Sequence, residues 1–190
     1  MAEPLPWDVL GSTYLSRKPW LTLRQDRVRL SSGAVIDDYF VLEYPPWVNV
    51  VAVTPDDRVV LVRQYRHGLG RVDFKLAAGV VDAGDSSPEA AARRELLEET
   101  GYRGGDWRPL MVASANPSTH SNLTYSFLAL GVERVALPSP EVTEDIEVLM
   151  IPVDEVERMV EEGQVVQALH LAPLLKYLLA RRHGVGAARA

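Results

Sequence analysis

Three glutamates near the middle of the chain have a spacing that suits a metal site. Glu95, Glu98 and Glu99 are related as i, i+3 and i+4, so they share one face of a helix that advances about 100° per residue. Carboxylates placed in this way repel one another, and a divalent cation held among them removes the repulsion. Their hard oxygen atoms favour Mg²⁺ or Mn²⁺ over softer metals.

A solvated helix face is the alternative interpretation of the same glutamates. Acidic runs usually mark exposed surface, and Arg94 can pair with Glu98 on such a surface. The surroundings favour a site, because a loop with Gly79 precedes the segment, Gly101 follows it, and predicted strands flank it.

The order of the predicted elements indicates the fold class. Strands are predicted at 26–30, 35–44, 48–53, 58–65, 107–113, 123–132 and about 146–151, and helices at 88–100, 154–162 and 165–182. The last helix is expected to kink or restart at Pro173, and residues 1–24 to form an irregular arm with one short strand. This order predicts an α+β sandwich of mixed and antiparallel sheets with helices packed outside.

Length and composition are those of one soluble globular domain spanning residues 1–190. The apolar share is 47%, the charged share is 24%, and the net charge of −6 argues against a nucleic-acid partner. The chain has no cysteine, no secretion signal in residues 1–8 and no apolar run of membrane-spanning length. A cytoplasmic protein with no membrane partner is therefore expected.

Residues 79–102 resemble the box that defines the Nudix hydrolases. Residues 94–102 read Arg-Glu-Leu-Leu-Glu-Glu-Thr-Gly-Tyr, which matches the second half of that motif almost fully. The first half departs from it, since Asp85 stands where glutamate is expected and eight residues rather than seven separate it from Arg94. Tyr102 replaces an aliphatic residue.

Flanking segments extend the resemblance over roughly residues 20–180 to the ADP-ribose/ADP-sugar pyrophosphatase branch of that family. Residues 74–79 are similar to the Glu-Leu-Pro-Ala-Gly that leads into the box in this branch, with Lys75 and Ala77 as departures. The resemblance implies a Nudix-type α/β/α sandwich. It also implies an N-terminal β-rich arm or hairpin, residues 1–44, that is used in a homodimer.

The resemblance also implies where metal ions bind. Glu95 and Glu99 are expected as the principal ligands of two or three Mg²⁺ or Mn²⁺ ions, Glu98 as a further ligand or helper, and the Ala78 carbonyl as a main-chain ligand. Arg94 is expected to orient the carboxylates. Metal ions in this position neutralise a diphosphate and lower the pKa of an attacking water.

A separate carboxylate is expected to take the proton of that water. Glu144 is the first candidate and Glu141 the second, because residues 137–145 match the loop that supplies the base in this branch. An acidic loop that is simply exposed is the alternative.

Three further side chains are candidates for substrate contacts. Arg66 can bond phosphate oxygens, although a strand-end arginine is often only solvated. Trp20 and Trp47 can stack on a nucleobase, with burial in the core or a dimer contact as the alternatives.

The expected reaction is metal-dependent hydrolysis of a small nucleoside-diphosphate sugar, first of all ADP-ribose to AMP and ribose 5-phosphate. GDP-sugars, dinucleoside polyphosphates and dinucleotide coenzymes remain alternative substrates. A module that binds nucleotide sugars without catalysis is the competing hypothesis, and the presence of all three glutamates favours catalysis.

Overall fold

The computed structural model describes residues 5–18, 21–140 and 145–184. By their contacts these residues form two compact units: the described residues up to 45 with 114–122 make one, and the described residues of 46–113 and 123–184 make the other. The helices in the described part of the chain lack the length and apolar character of a membrane span.

The smaller unit is a three-stranded antiparallel sheet in the order β1-β2-β3. Its strands are β1 (Asp8–Lys18), β2 (Leu21–Arg29) and β3 (Val35–Glu43). The predicted hairpin is confirmed, with Gly33 in its turn at φ +88°. The expectation of an irregular arm with one short strand was wrong for β1, which has 11 residues. Irregular pairing after Val9 and after Tyr14 interrupts the alternation that predicts a strand.

The larger unit holds one seven-stranded mixed sheet and three helices. The strands are β4 (Trp47–Val53), β5 (Arg58–Arg66), β6 (Arg71–Lys75), β7 (Ala77–Val80), β8 (Tyr102–Ala113), β9 (Thr124–Arg134) and β10 (Ile146–Pro152). The helices are α1 (Pro88–Thr100), α2 (Val153–Glu161) and α3 (Ala168–Arg182). The main path of the sheet is β10-β5-β4-β9-β8, with β6 on β5 and β7 on β4. Only β4 and β9 pair in parallel among the described strands.

Both faces of this sheet are covered by helices. Successive residues of a strand point to opposite faces, and β4 supplies Val51 and Val53 to one apolar cluster and Val48, Val50 and Ala52 to another. The first cluster includes residues of α2 and α3, and the second includes residues of α1. The predicted α+β sandwich of the α/β/α type is confirmed.

The helix α1 begins and ends where its sequence predicts. Ser87 caps the first turn by accepting the Ala90 N–H at 3.1 Å, and Pro88 takes the first helical position. Gly101 ends the helix in the left-handed region at φ +76°. The bounds of the glutamate segment are therefore set by local sequence.

The helix α3 runs through Pro173 as one helix, so of the predicted kink or restart, the restart was wrong. Proline has no N–H to bond the carbonyl four residues earlier, which here belongs to Leu169. The side chain of Asn49 in β4 donates to that carbonyl, with Nδ2 2.8 Å from the oxygen. The sheet therefore satisfies the acceptor that proline leaves unpaired within the helix.

Candidate active site

The three glutamates of α1 differ in exposure. Glu95 is 8% exposed and Glu99 is 0% exposed, whereas the side chain of Glu98 is 45% exposed. A solvated acidic face would leave all of them in water. Burial of two carboxylates therefore argues for a site rather than for an ordinary helix surface.

Glu99 is held by two donors from the segment that leads into the box. The ammonium of Lys75, at the end of β6, bonds Oε1 of Glu99, and both side chains are buried. The N–H of Ala78 in β7 donates to the other oxygen at 3.1 Å. Ala78, expected to offer its carbonyl to a metal, thus contacts Glu99 through its amide.

Arg94 joins the two halves of the box. Its Nη1 donates to Glu95 at 2.8 Å and to Glu98 at 2.9 Å, and its Nη2 donates to the Val80 carbonyl at 3.1 Å. Its Nε and Nη2 bond the two oxygens of Asp85 at 3.2 and 3.0 Å. The bond to Asp85 is the main cause that raises the pKa of Arg94, and Arg94 in turn holds the pKa of Asp85 below its usual range.

Asp85 therefore has a structural role, although its spacing from Arg94 differs from that in the family motif. Besides bonding Arg94, it accepts the N–H of Asp82 at 2.9 Å. The role of Asp85 could not be predicted from the sequence, because the motif does not determine the path of a loop that has one added residue. In the structure Asp85 anchors the arginine that contacts Glu95 and Glu98.

The carboxylate of Glu95 lies directly against the backbone at Gly79. A Cβ atom at position 79 would overlap the Glu95 carboxylate, so any other residue there would force this carboxylate to move. Burial raises the pKa of Glu95 to about 7, in spite of Arg94, and the charges of Glu99 and Glu98 add to the rise. A neighbouring cation would oppose this effect.

The donor set suits a hard divalent cation, although it is not arranged around one. In the described part of the chain, no three acidic or imidazole side chains converge as a metal cage. Oxygens of Glu95 and Glu98 nevertheless meet on one cationic atom, Nη1 of Arg94, which shows that both carboxylates reach a common cation. Carboxylate oxygens are the ligands that Mg²⁺ and Mn²⁺ prefer.

The structure describes two of the five remaining candidate residues, Arg66 and Trp47. Arg66 lies half-buried at the end of β5. Trp47 is half-buried in β4, and its ring packs on His170 with centroids 5.5 Å apart. Trp20, Glu141 and Glu144 lie outside the described residues.

Two residues near this region, Lys75 and His170, were not predicted from the sequence to belong to it. Lys75 was noted only as a departure from glutamate, and its pairing with a glutamate far along the chain is a tertiary contact. His170 is fully buried, and neither ring nitrogen has a hydrogen-bond partner among the described residues. Its spacing to Leu174 and Tyr177, at i+4 and i+7, was the available signal that it faces the core.

Comparisons with known proteins agree with this architecture. Residues 43–170 match the NUDIX domain, and residues 7–42 match the nucleoside diphosphate sugar hydrolase N-terminal domain. An ADP-ribose pyrophosphatase of Mycobacterium tuberculosis is 29% identical over 89% of this chain and 82% of that protein. A GDP-mannose pyrophosphatase of an Enterobacter species is 33% identical over 63% of this chain and 65% of that protein.

A solved structure described as an ADP compounds hydrolase has the same fold. It superposes with a TM-score of 0.83 over 97% of this chain and 100% of that chain, at 22% identity. The chain therefore belongs to the NUDIX domain family. More narrowly, it is a Nudix hydrolase of the ADP-ribose/ADP-sugar pyrophosphatase-like group, as predicted from the box together with its flanking segments. Hydrolases of this family generally use divalent cations and act on small nucleotide diphosphates.

Proposed function

We propose that this enzyme hydrolyses the diphosphate bond of a nucleoside-diphosphate sugar, with ADP-ribose cut to AMP and ribose 5-phosphate as the first candidate. The observation that carries the proposal is the pair of buried carboxylates, Glu95 and Glu99, beside the half-exposed Glu98. The relative named ADP-ribose pyrophosphatase supports this substrate, and the relative named GDP-mannose pyrophosphatase makes a GDP-sugar the second candidate.

The charges of the site imply added cations. Among the described residues, five carboxylates pair with two cationic side chains, Lys75 and Arg94. The five are Asp82, Asp85, Glu95, Glu98 and Glu99. A diphosphate would be repelled by this excess of negative charge, so its approach requires bridging divalent ions.

The residues that would hold those ions are Glu95, Glu98 and Glu99, with the Ala78 carbonyl as a main-chain ligand. Two or three Mg²⁺ or Mn²⁺ ions there would polarise the phosphorus and lower the pKa of the attacking water. Arg94, itself fixed by Asp85, orients Glu95 and Glu98. Contacts of Arg94 to both carboxylates support this role.

We also propose a proton acceptor and contacts to the substrate. Glu144 is our first candidate for the base and Glu141 the second. Arg66 is proposed to bond the phosphate or sugar, while Trp20 and Trp47 are candidates to stack on the base. Packing of Trp47 on His170 supports its alternative role in the core more than a stacking role.

A substrate panel with a matched pair of variants tests the proposal. ADP-ribose, GDP-mannose, a dinucleoside polyphosphate and a dinucleotide coenzyme are incubated with Mg²⁺ or Mn²⁺, and the released monophosphate is measured. Glu98→Gln should lower kcat/KM on the order of 100-fold, because even the loss of a residue that only supports a metal ligand costs about 10- to 100-fold. Glu89→Gln is the control, because Glu89 is an acid of the same helix that pairs only with Arg93 among the described residues.

The outcomes separate the competing hypotheses. Nucleotide binding without turnover of any compound would favour the non-catalytic module. Equal rates for Glu98→Gln and Glu89→Gln would place the chemistry elsewhere. Glu144→Gln, assayed alongside, should abolish most turnover while leaving Mn²⁺ binding intact.

A further inference from the structure

Lys75 is a buried cation inside the glutamate site. Its side chain is 4% exposed and that of Glu99 is 1% exposed, and the ammonium bonds Oε1 of the carboxylate directly. Burying two charges is costly unless they meet in this way. The Ala78 N–H on the other oxygen fixes the carboxylate further.

The other cationic side chain of the site, Arg94, bonds other carboxylates. Its guanidinium bonds Asp85, Glu95 and Glu98. Glu99, by contrast, forms an ion pair with Lys75. Arg94 thus pairs with Asp85, Glu95 and Glu98, whereas Lys75 pairs with Glu99.

We propose that Lys75 supplies at Glu99 a positive charge that a divalent ion would otherwise supply. The wild-type site therefore binds one divalent ion fewer than a variant in which residue 75 is neutral. The proposal rests on the proposed function only in taking the same glutamates as a metal site. An ammonium bonded to a carboxylate repels a divalent ion from the same place, and the low dielectric of a buried position strengthens the repulsion.

The number of bound ions can be measured without substrate. Mn²⁺ is titrated into the wild type and into Lys75→Met and Lys75→Gln, and free Mn²⁺ is followed by its electron paramagnetic resonance signal. The expected result is one additional Mn²⁺ per chain in both neutral variants. Lys75→Arg keeps the charge and should give the wild-type number.

A lysine elsewhere in the same unit provides the control. Lys176 donates its ammonium to the Leu110 carbonyl at 2.6 Å rather than to a carboxylate. Lys176→Met removes an equal charge and should leave the Mn²⁺ number unchanged. Equal Mn²⁺ numbers in wild type, Lys75→Met and Lys75→Gln would overturn the proposal.

Loss of folding in the neutral variants is also informative. If they fold only when Mn²⁺ or Mg²⁺ is present, or if these ions raise their melting temperature more than that of the wild type, the ion replaces the ammonium as proposed. If neither variant folds at saturating Mn²⁺, a divalent ion cannot replace Lys75 and the proposal is wrong.

The two proposals fail in different ways. An inactive wild type with an additional Mn²⁺ in the neutral variants would refute the proposed reaction and keep the role of Lys75. An active wild type with unchanged Mn²⁺ numbers would refute only the role of Lys75.

Discussion

At the scale of single residues, Arg94 explains how an irregular box keeps its glutamates in order. Asp85 is displaced by one position from the family pattern, yet both of its oxygens bond Arg94. The arginine then contacts Glu95 and Glu98 with one nitrogen. Spacing alone predicted the shared face of the glutamates, because that depends only on helix geometry, whereas the anchor at Asp85 depends on the path of the loop.

His170 should make stability depend on pH. Complete burial, then the charges of Lys75 and Arg66, hold its pKa well below the usual range. The unfolded chain therefore binds a proton below about pH 6.5 that the native state does not bind. Stability falls as the pH decreases through this window, with a slope approaching about 1.4 kcal/mol per pH unit.

Urea unfolding of wild type and His170→Leu at pH 8 and pH 5.5 measures this term. Glu95 acts in the opposite direction, since its raised pKa lets the native state bind a proton first. The difference between the two proteins isolates His170, and the variant should lose less stability on acidification. Parallel losses in the two proteins would show that His170 does not contribute.

At the scale of elements, the contact between Asn49 and Leu169 should matter because of Pro173. Asn49→Val leaves the Leu169 carbonyl without the donor seen in the structure, which should lower the free energy of unfolding by about 1–3 kcal/mol. Pro173→Ala adds an N–H that can bond the same carbonyl within α3. A double-mutant cycle measured by urea unfolding should therefore show a smaller loss for Asn49→Val in the Pro173→Ala background. Additive losses would refute the coupling.

Elements with local signals were predictable and the others were not. Ser87, Pro88 and Gly101 fixed the bounds of α1 because caps act within one turn. The uninterrupted α3 was not predictable, since the donor that replaces the lost bond of Pro173 comes from a distant strand. The ion pair of Lys75 with Glu99 was missed for the same reason.

At the scale of the whole molecule, we propose that residues 1–44 form a dimerisation arm, and exposed apolar side chains on the smaller unit support this. Large apolar side chains that are at least 37% exposed lie on all of its strands. They are Val9, Leu10, Tyr14, Leu15, Leu21, Val35 and Phe40. Surface of this kind usually marks an interaction site.

The expected assembly is a homodimer, measured as a two-chain mass by light scattering. Val9→Lys should raise the dissociation constant about tenfold, corresponding to roughly 1.4 kcal/mol. Leu69→Lys is the control, because Leu69 is 55% exposed, close to the 62% of Val9, and lies in the larger unit. A monomeric wild type, or equal effects of both variants, would contradict the proposed arm.

The parallel pairing of β4 with β9 has a consequence for the order of folding. It sets Trp47 opposite Thr124, and α1 lies between these two strands in the chain. Contacts between residues so far apart form slowly, because the loop between them must close first. We therefore expect the two buried acidic side chains of α1, Glu95 and Glu99, to stay hydrated through the early stages of folding. They would lose their bound water only when the last strands complete the sheet. The free-energy cost of desolvating these carboxylates would therefore arise late in folding.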